Sequence, residues 1–325
     1  MNNLPSGAIV VVTSRCNSRC LMCDIWKKES KKEVNPKIYH KLPSSLKSID
    51  ITGGEPFLRG DLIEIVSVLK RSCPRARLLI TTNGLLVKKI RKATPKLVKI
   101  DKNLAFRVSM DGPESVHDRI RGVPGAFKKA KEALVILKEN GVGDLGVIFT
   151  LMAQNKSELE KVLDFCRKEN LKFSMNLVHD SSIYFGNKHL KLRPSFGDIN
   201  KSAKLVSNFY KRSIRPQDWA KAWFYQKTSG YVRSNKRPLS CGAGKDFFYL
   251  DPLGDIYVCH IKDWKIGNLE KQSFTEIWNG EKRKSCLQKV KNCNDCWMIC
   301  TAKDRIKKKK VQVLKDLFHE LLFRK

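Results

Sequence analysis

Short β-branched runs and amphipathic helical stretches alternate between residues 8 and 180, and that alternation constrains the fold more than any other feature of the chain. Ala8–Thr13, Lys47–Thr52, Arg77–Thr82, Ala105–Met110, Leu145–Leu151 and Lys172–Leu177 read as six strands. Asp61–Arg71, Gly125–Asn140 and Lys156–Asn170 carry apolar residues at helical spacing, with Gly141 placed as a stop signal. Strands separated by crossover helices pair in parallel. Six units are too few to close an eight-stranded barrel, so the expectation is an α/β fold built on a partial, open (β/α)6 barrel.

Chemistry in such barrels sits on the loops that follow the strands. The unusual residues of this chain fall there. "RCNSRCLMC" (Arg15–Cys23) follows the first strand, "TGGEP" (Thr52–Pro56) the second, "TTNG" (Thr81–Gly84) the third and "SMDGP" (Ser109–Pro113) the fourth. Four special loops at one rim imply one shared site.

The first residues, "MNNLPSGAIVVVTSRC", lack the charged region and cleavage site of a signal peptide, and no apolar run reaches the roughly 18 residues of a membrane span. A cytoplasmic location is expected. In a reducing compartment the 11 cysteines point to metal binding or catalysis rather than to disulfides. Cys73 and Cys166, in helix-like apolar contexts, read as core residues. The formal charge of +32 favours anionic partners. No nucleic-acid module is present and the basic residues lack interleaved aromatics, so nucleic acid is disfavoured as a partner and most lysines read as solvated helix faces.

Cys16, Cys20 and Cys23 stand four and three residues apart with no histidine nearby; His40 lies beyond Pro36. A structural zinc takes four protein ligands. Three thiolates suit three irons of a [4Fe-4S] cube and leave the fourth iron open to a small molecule. The spacing C-x3-C-x2-C after the first strand, GGEP after the second and S-x-D-G after a later one together resemble the radical S-adenosylmethionine (radical SAM) superfamily. The resemblance implies that Cys16, Cys20 and Cys23 bind a cluster whose open iron is chelated by SAM. It implies that Gly53, Gly54, Glu55 and Pro56 form the edge that meets the SAM amino group, with the glycines needed for close backbone approach. Asn83 then fits a polar contact to the ligand, and Ser109 and Asp111 a ribose contact. Met22 stands where the family usually carries an aromatic residue near adenine. In "HDRIRG" (His117–Gly122), Arg119 and Arg121 are candidates for the SAM carboxylate, the alternative being solvent-facing charge. The implied chemistry is one-electron cleavage of SAM to a 5′-deoxyadenosyl radical, fed by a reductant such as ferredoxin or flavodoxin.

Residues 181–235 are less regular, and a second small unit begins near Leu239. Phe247–Leu250, a "DPLGD" turn and Ile256–Val258 read as a β-hairpin that brings Cys241 and Cys259 to one end. With "CNDCWMIC" downstream, a zinc ribbon is one reading. The pattern C-x12-G-x4-C, then "GNL…SFTEIWN" and a terminal thiol cluster, resembles the SPASM/twitch extensions of radical SAM enzymes, which bind auxiliary [4Fe-4S] clusters. The cysteine series here is shorter than the two-cluster pattern. One auxiliary cluster is therefore expected, held by Cys241, Cys259 and two of Cys293, Cys296 and Cys300, with Cys286 a core residue. The domain organisation is then a radical SAM barrel over 1–185, a helical connector over 186–238, an auxiliary-cluster unit over 239–300 and a basic tail helix over 301–325.

In the tail, Leu314, Leu317, Phe318 and Leu321 share one helix face beside Lys307–Lys310. Packing on its own domain is the preferred reading; peripheral contact with an anionic membrane is the alternative. The expected activity is oxidation or maturation of a peptide or protein by hydrogen abstraction, with the auxiliary cluster as electron acceptor or substrate site. No leader-binding domain fits ahead of Ser14, so a peptide would be recognised in trans or by the barrel itself. A small anionic molecule, an alcohol, a sugar or a lipid-linked molecule is the alternative substrate. The non-enzymatic rival is a zinc- or cluster-stabilised nucleic-acid-binding protein.

Overall fold

The computed structural model describes residues 4–28, 33–186 and 191–322. Six strands, β1 (Gly7–Val11), β2 (Ser48–Thr52), β3 (Arg77–Thr82), β4 (Ala105–Ser109), β5 (Leu145–Leu151) and β6 (Lys172–Leu177), pair in parallel in sequence order. The helices between them are α1 (Leu62–Ser72), α2 (Val87–Ile100), α3 (Glu114–Arg121), α4 (Ala126–Glu139) and α5 (Leu159–Lys168). All six expected strands form, within a residue or two of their expected ends. Among the described residues β6 pairs only with β5, so the barrel stays open.

The helix α2 was not expected, because "KKIRKATPKLVKI" is lysine-rich and contains Pro95. An interior proline removes one ladder hydrogen bond and normally ends a helix. Here Ile90, Thr94 and Leu97 form a buried stripe, and their packing outweighs that loss.

The connector holds α6 (Phe196–Lys211) and α7 (Pro216–Ser234) packed on each other. The stretches "RPSFGD" and "IRPQDW" hold the starts of these two helices. Ser195 accepts from the Asp198 amide as the cap of α6, and Pro216 occupies the first turn of α7, where its missing N–H costs nothing.

The hairpin is observed as β7 (Phe247–Leu250) and β8 (Asp255–Tyr257), turning at Gly254, whose φ of 81° favours glycine. A third strand, β9 (Lys265–Asn268), follows and pairs antiparallel with β8. Strand β7 also pairs in parallel with β1, from Gly7 opposite Phe247 to Val10 opposite Leu250. The hairpin therefore continues the barrel sheet, giving nine strands in the order β6-β5-β4-β3-β2-β1-β7-β8-β9. The chain ends in α8 (Phe274–Asn279), capped reciprocally by Ser273 and Glu276, then α9 (Glu281–Lys291), α10 (Ile299–Lys308) and α11 (Lys310–Leu322).

Side-chain alternation decides where the core and the cavity lie. Leu78 and Ile80, Phe106 and Val108, Val147 and Phe149, and Phe173 and Met175 point outward and are buried under the helices. Their neighbours Arg77, Thr81, Arg107, Ser109, Thr150, Lys172 and Ser174 line a cavity of about 660 Å³ inside the barrel. Ile299, Cys300, Lys303 and Ile306 of α10 line the same cavity, and Lys303 Nζ meets Asp50 of β2 at 2.9 Å.

Helix α11 packs on α7: Asp316 accepts from Trp223 Nε1 at 2.9 Å and pairs with Lys227 at 3.1 Å. Leu317 is buried and Leu314 exposed, while the side chains of Phe318 and Leu321 lie outside the described residues.

Candidate active site

The loop after β1 is held by backbone contacts on two sides. Gly54 N–H donates to Thr13 O at 2.8 Å and Glu55 N–H to Arg15 O at 2.9 Å; Arg19 and Leu21 amides donate to Arg121 O and Ile120 O, each at 2.9 Å. A Cβ on Gly54 would lie 2.1 Å from Arg15 O, and one on Gly53 would lie 2.5 Å from Thr13 O. Both glycines are thus required by the cysteine loop itself, a reason beyond close approach to a ligand. Gly122, with φ of 63°, ends α3 where a Cβ would meet Arg19 O at 2.6 Å.

Glu55 ties the second and third loops together. Its carboxylate accepts from Thr82 Oγ1 at 2.8 Å, from the Asn83 amide at 2.7 Å and from the Phe57 amide at 3.1 Å. Burial nevertheless pushes its pKa up to about 7. Asn83 Nδ2 donates to Asn17 Oδ1 at 2.9 Å and faces Cys16 Sγ at 3.9 Å. Arg121 pairs with the fully buried Asp111 at 2.6 Å and directs Nη1 to Cys20 Sγ at 3.6 Å.

Cys16, Cys20, Cys23, Gly53, Gly54, Asn83, Ser109, Arg121 and Met22 all line the barrel cavity. Glu55, Pro56, Asp111 and Arg119 do not. Asp111 was expected at the ribose, yet it lies behind Arg121, accepts the Thr150 amide at 2.8 Å and acts as that arginine's counter-ion. Of the two arginine candidates, Arg121 reaches the cavity while Arg119, two residues away on nearly the opposite face of α3, does not; the solvent-facing alternative is wrong for Arg121, which is buried. Sequence reasoning missed Tyr184, whose hydroxyl meets Thr52 Oγ1 at 3.0 Å and Gly53 O at 3.3 Å on the cavity wall. It also missed His260, Asp50 and Lys303. Inward polar positions on strands were the available signal for Asp50.

The cysteine sulfurs form two groups. Burial raises Cys16 to about 11 and Cys23 to about 12, and the neighbouring Cys20 acts on each in the same direction. In the C-terminal unit burial raises Cys259 to about 12 and Cys296 to about 11; both feel Cys241, and Cys293 feels it too. Thiols so placed stay protonated without a cation and fit a cluster that supplies the compensating positive charge. Cys241, Cys259, Cys293 and Cys296 stand off the barrel cavity, whereas Cys300 lines it. Cys286 is buried in the core, as are Cys73 and Cys166.

Residues 10–166 match the family model of the radical SAM superfamily, and residues 241–297 match that of the SPASM iron-sulfur cluster-binding domain. The chain is a radical SAM protein with a SPASM domain. Its cofactors are accordingly a [4Fe-4S] cluster with SAM and auxiliary iron-sulfur binding in the SPASM unit. Among curated proteins this radical SAM protein is 23% identical over 306 residues to pre-heme d1 synthase of Dinoroseobacter shibae, spanning 83% of the chain and 72% of that relative. It is 26% identical over 290 residues to the antilisterial bacteriocin subtilosin biosynthesis protein AlbA of Bacillus subtilis, spanning 85% of the chain but 60% of AlbA. In fold it is similar to anSMEcpe with bound AdoMet, with a TM-score of 0.65 at 16% identity over 92% of this chain and 89% of the other. Streptococcus suis SuiB bound to its precursor peptide SuiA gives a TM-score of 0.65 at 16% identity over 88% and 67%. No helix among the described residues is long and apolar enough to cross a membrane.

Proposed function

We propose that this radical SAM protein is an enzyme that abstracts hydrogen from a peptide substrate held in the barrel cavity, with an auxiliary [4Fe-4S] cluster beside it. The carrying observation is convergence: three cysteines, the Gly53–Gly54 edge, Ser109 and Arg121 come from four strand-end loops and open on one cavity. With cluster and SAM bound, one electron from an external reductant would cleave SAM to methionine and a 5′-deoxyadenosyl radical able to take a hydrogen atom from substrate carbon.

The chain's own residues then have separable roles. Cys16, Cys20 and Cys23 hold the cluster. Arg121, charge-balanced by Asp111, binds the SAM carboxylate; Asn83 and Ser109 supply polar contacts; Met22 gives a polarizable surface for the adenine. Glu55 and Asp111 act through neighbours, fixing the Asn83 loop and the Arg121 guanidinium. Cys241, Cys259, Cys293 and Cys296 hold the auxiliary cluster, since the SPASM match ends at residue 297, before Cys300, and Cys300 alone of the five lines the barrel cavity. A peptide substrate is supported by the names of AlbA and of PqqA peptide cyclase of Gluconobacter oxydans, which is 25% identical over 242 residues. A small-molecule substrate is favoured by the names of pre-heme d1 synthase and of AdoMet-dependent heme synthase of Methanosarcina barkeri, 24% identical over 308 residues.

The test is anaerobic reconstitution, followed by iron and sulfide counts and a 5′-deoxyadenosine assay with SAM and reductant. About eight irons are expected. The Cys16→Ala/Cys20→Ala/Cys23→Ala variant should keep about four irons and make no deoxyadenosine. Bound zinc and no SAM cleavage in the parent would overturn the reading.

A further inference from the structure

We propose that the floor of the barrel cavity, at the end opposite the cysteine loop, is a carboxylate-binding site that anchors a substrate bearing two or more carboxylates on an apolar body. This deepens the reading above and rests on it for the word substrate alone.

The floor is built from the first inward positions of neighbouring strands. Arg77 of β3, Arg107 of β4 and Lys172 of β6 converge on one carboxylate, Asp144, at 2.6, 2.9 and 2.9 Å. Lys221 of α7 closes the same end, with Asp218 at 3.1 Å and its ammonium 4.6 Å from the centre of the Tyr210 ring. Four cations thus share two carboxylates, and all six side chains line the cavity. Arg107 is buried while Arg77, Lys172 and Lys221 are half-buried, and two surplus positive charges on the wall of a cavity attract anions. The Lys221 pKa is lowered by burial, which outweighs the opposing pull of Asp218, with smaller contributions from Arg107 and Lys172 in the same direction as burial.

The walls above the floor define the rest of the ligand. Leu79, Ile148, Ile299 and Ile306 face the cavity and suit an apolar body. Ser174 lies between floor and rim, Thr150 and Asn176 stand at the rim end of their strands, and among the described residues the buried Asn176 Oδ1 has no hydrogen-bond partner. Arg107 is two residues below Ser109, and Lys172 is four residues below Asn176. At the rise of a parallel strand, these intervals set the floor roughly 7–13 Å below the rim. A substrate anchored there and reaching the rim would span about 10 Å from its carboxylates. Such carboxylates occur both on small polycarboxylic acids and on the Asp or Glu side chains of a peptide.

The test uses the anaerobically reconstituted enzyme with two pairs of probes. One pair is 2-(naphthylmethyl)succinate and its diamide; the other is a Glu-containing hexapeptide and its Gln counterpart, each carrying a naphthyl group for fluorescence titration. At least one acid is expected to bind about tenfold or more tightly than its neutral partner, and to weaken as salt rises. Preference within the succinate pair alone points to a small acid; preference within the peptide pair points to a peptide. Lys172→Gln should weaken the preferred acid about tenfold without affecting its neutral partner, and Lys172→Arg should restore binding. Lys221→Gln, on a helix rather than in the sheet, gives a second reading should the strand variant fold poorly. Equal binding of acid and neutral forms in both pairs, or indifference to both glutamine variants, overturns the proposal. Deoxyadenosine formation by the parent without any probe reports separately on radical initiation, so failure of one reading is distinguishable from failure of the other.

Discussion

The two ends of the barrel are built by opposite means. At the rim, backbone carries the architecture: Gly54, Glu55, Arg19 and Leu21 amides strap the cysteine loop in place, and two glycines allow the chain segments to touch. At the floor, side-chain charge carries it: three cations from three strands gather on Asp144. A rim of this kind tolerates no added atom, whereas a floor of this kind tolerates changes of shape but not of charge.

The largest expected effect breaks the rim. Gly54→Ala forces a methyl to within 2.1 Å of Arg15 O. It should cost about 2–3 kcal/mol of stability and release the irons of the first cluster, seen as a lower denaturant midpoint and a halved iron count. Next comes the floor. Asp144→Asn removes the counter-ion of three cations and should destabilise by roughly 2 kcal/mol, measured by chemical denaturation near neutral pH. Its pH dependence sharpens the contrast. The neighbouring cations hold the Asp144 carboxyl well below the usual range, with Arg107 the leading favourable partner against burial. In the window between the folded and unfolded pKa values the unfolded chain binds the extra proton. The Asp144 contribution is therefore complete above about pH 4 and lost as pH falls further. The gap between parent and Asp144→Asn should shrink on acidification; a gap that widens would mean the charge cluster is not stabilising. The smallest effect concerns Cys300. Cys300→Ser should leave the iron count of the reconstituted protein unchanged, while Cys296→Ser should lower it by about four. Equal losses in the two variants would assign Cys300 to the auxiliary cluster.

The same contrast explains what the sequence disclosed. The rim was legible because its chemistry is consecutive in the chain: Cys16 to Cys23 and Thr52 to Pro56 are read as words. The strands were legible through β-branched runs, and each was found nearly at its observed ends. The floor was not, because Arg77, Arg107, Asp144 and Lys172 are scattered over 96 positions and meet only through strand register. Asp111 illustrates the remaining gap. Its motif was recognised, but which face of the loop it occupies depends on Arg121 arriving from the end of α3. Likewise Cys300 stood in a thiol cluster on paper, yet the start of α10 turns it toward the barrel.

The hydrogen bonds between β1 and β7 have a practical consequence for anyone cutting the chain. Strand β1 is "GAIVV", buried throughout, and it sits between β2 and β7. A fragment ending before Leu239 would strip one side of that strand and present an uncharged, β-branched edge with unpaired amides and carbonyls to other molecules. Such a barrel fragment should aggregate rather than fold as a smaller enzyme. In evolutionary terms the cysteine-rich unit doubles as an edge guard, so its loss would be punished by insolubility before any electron-transfer role was missed.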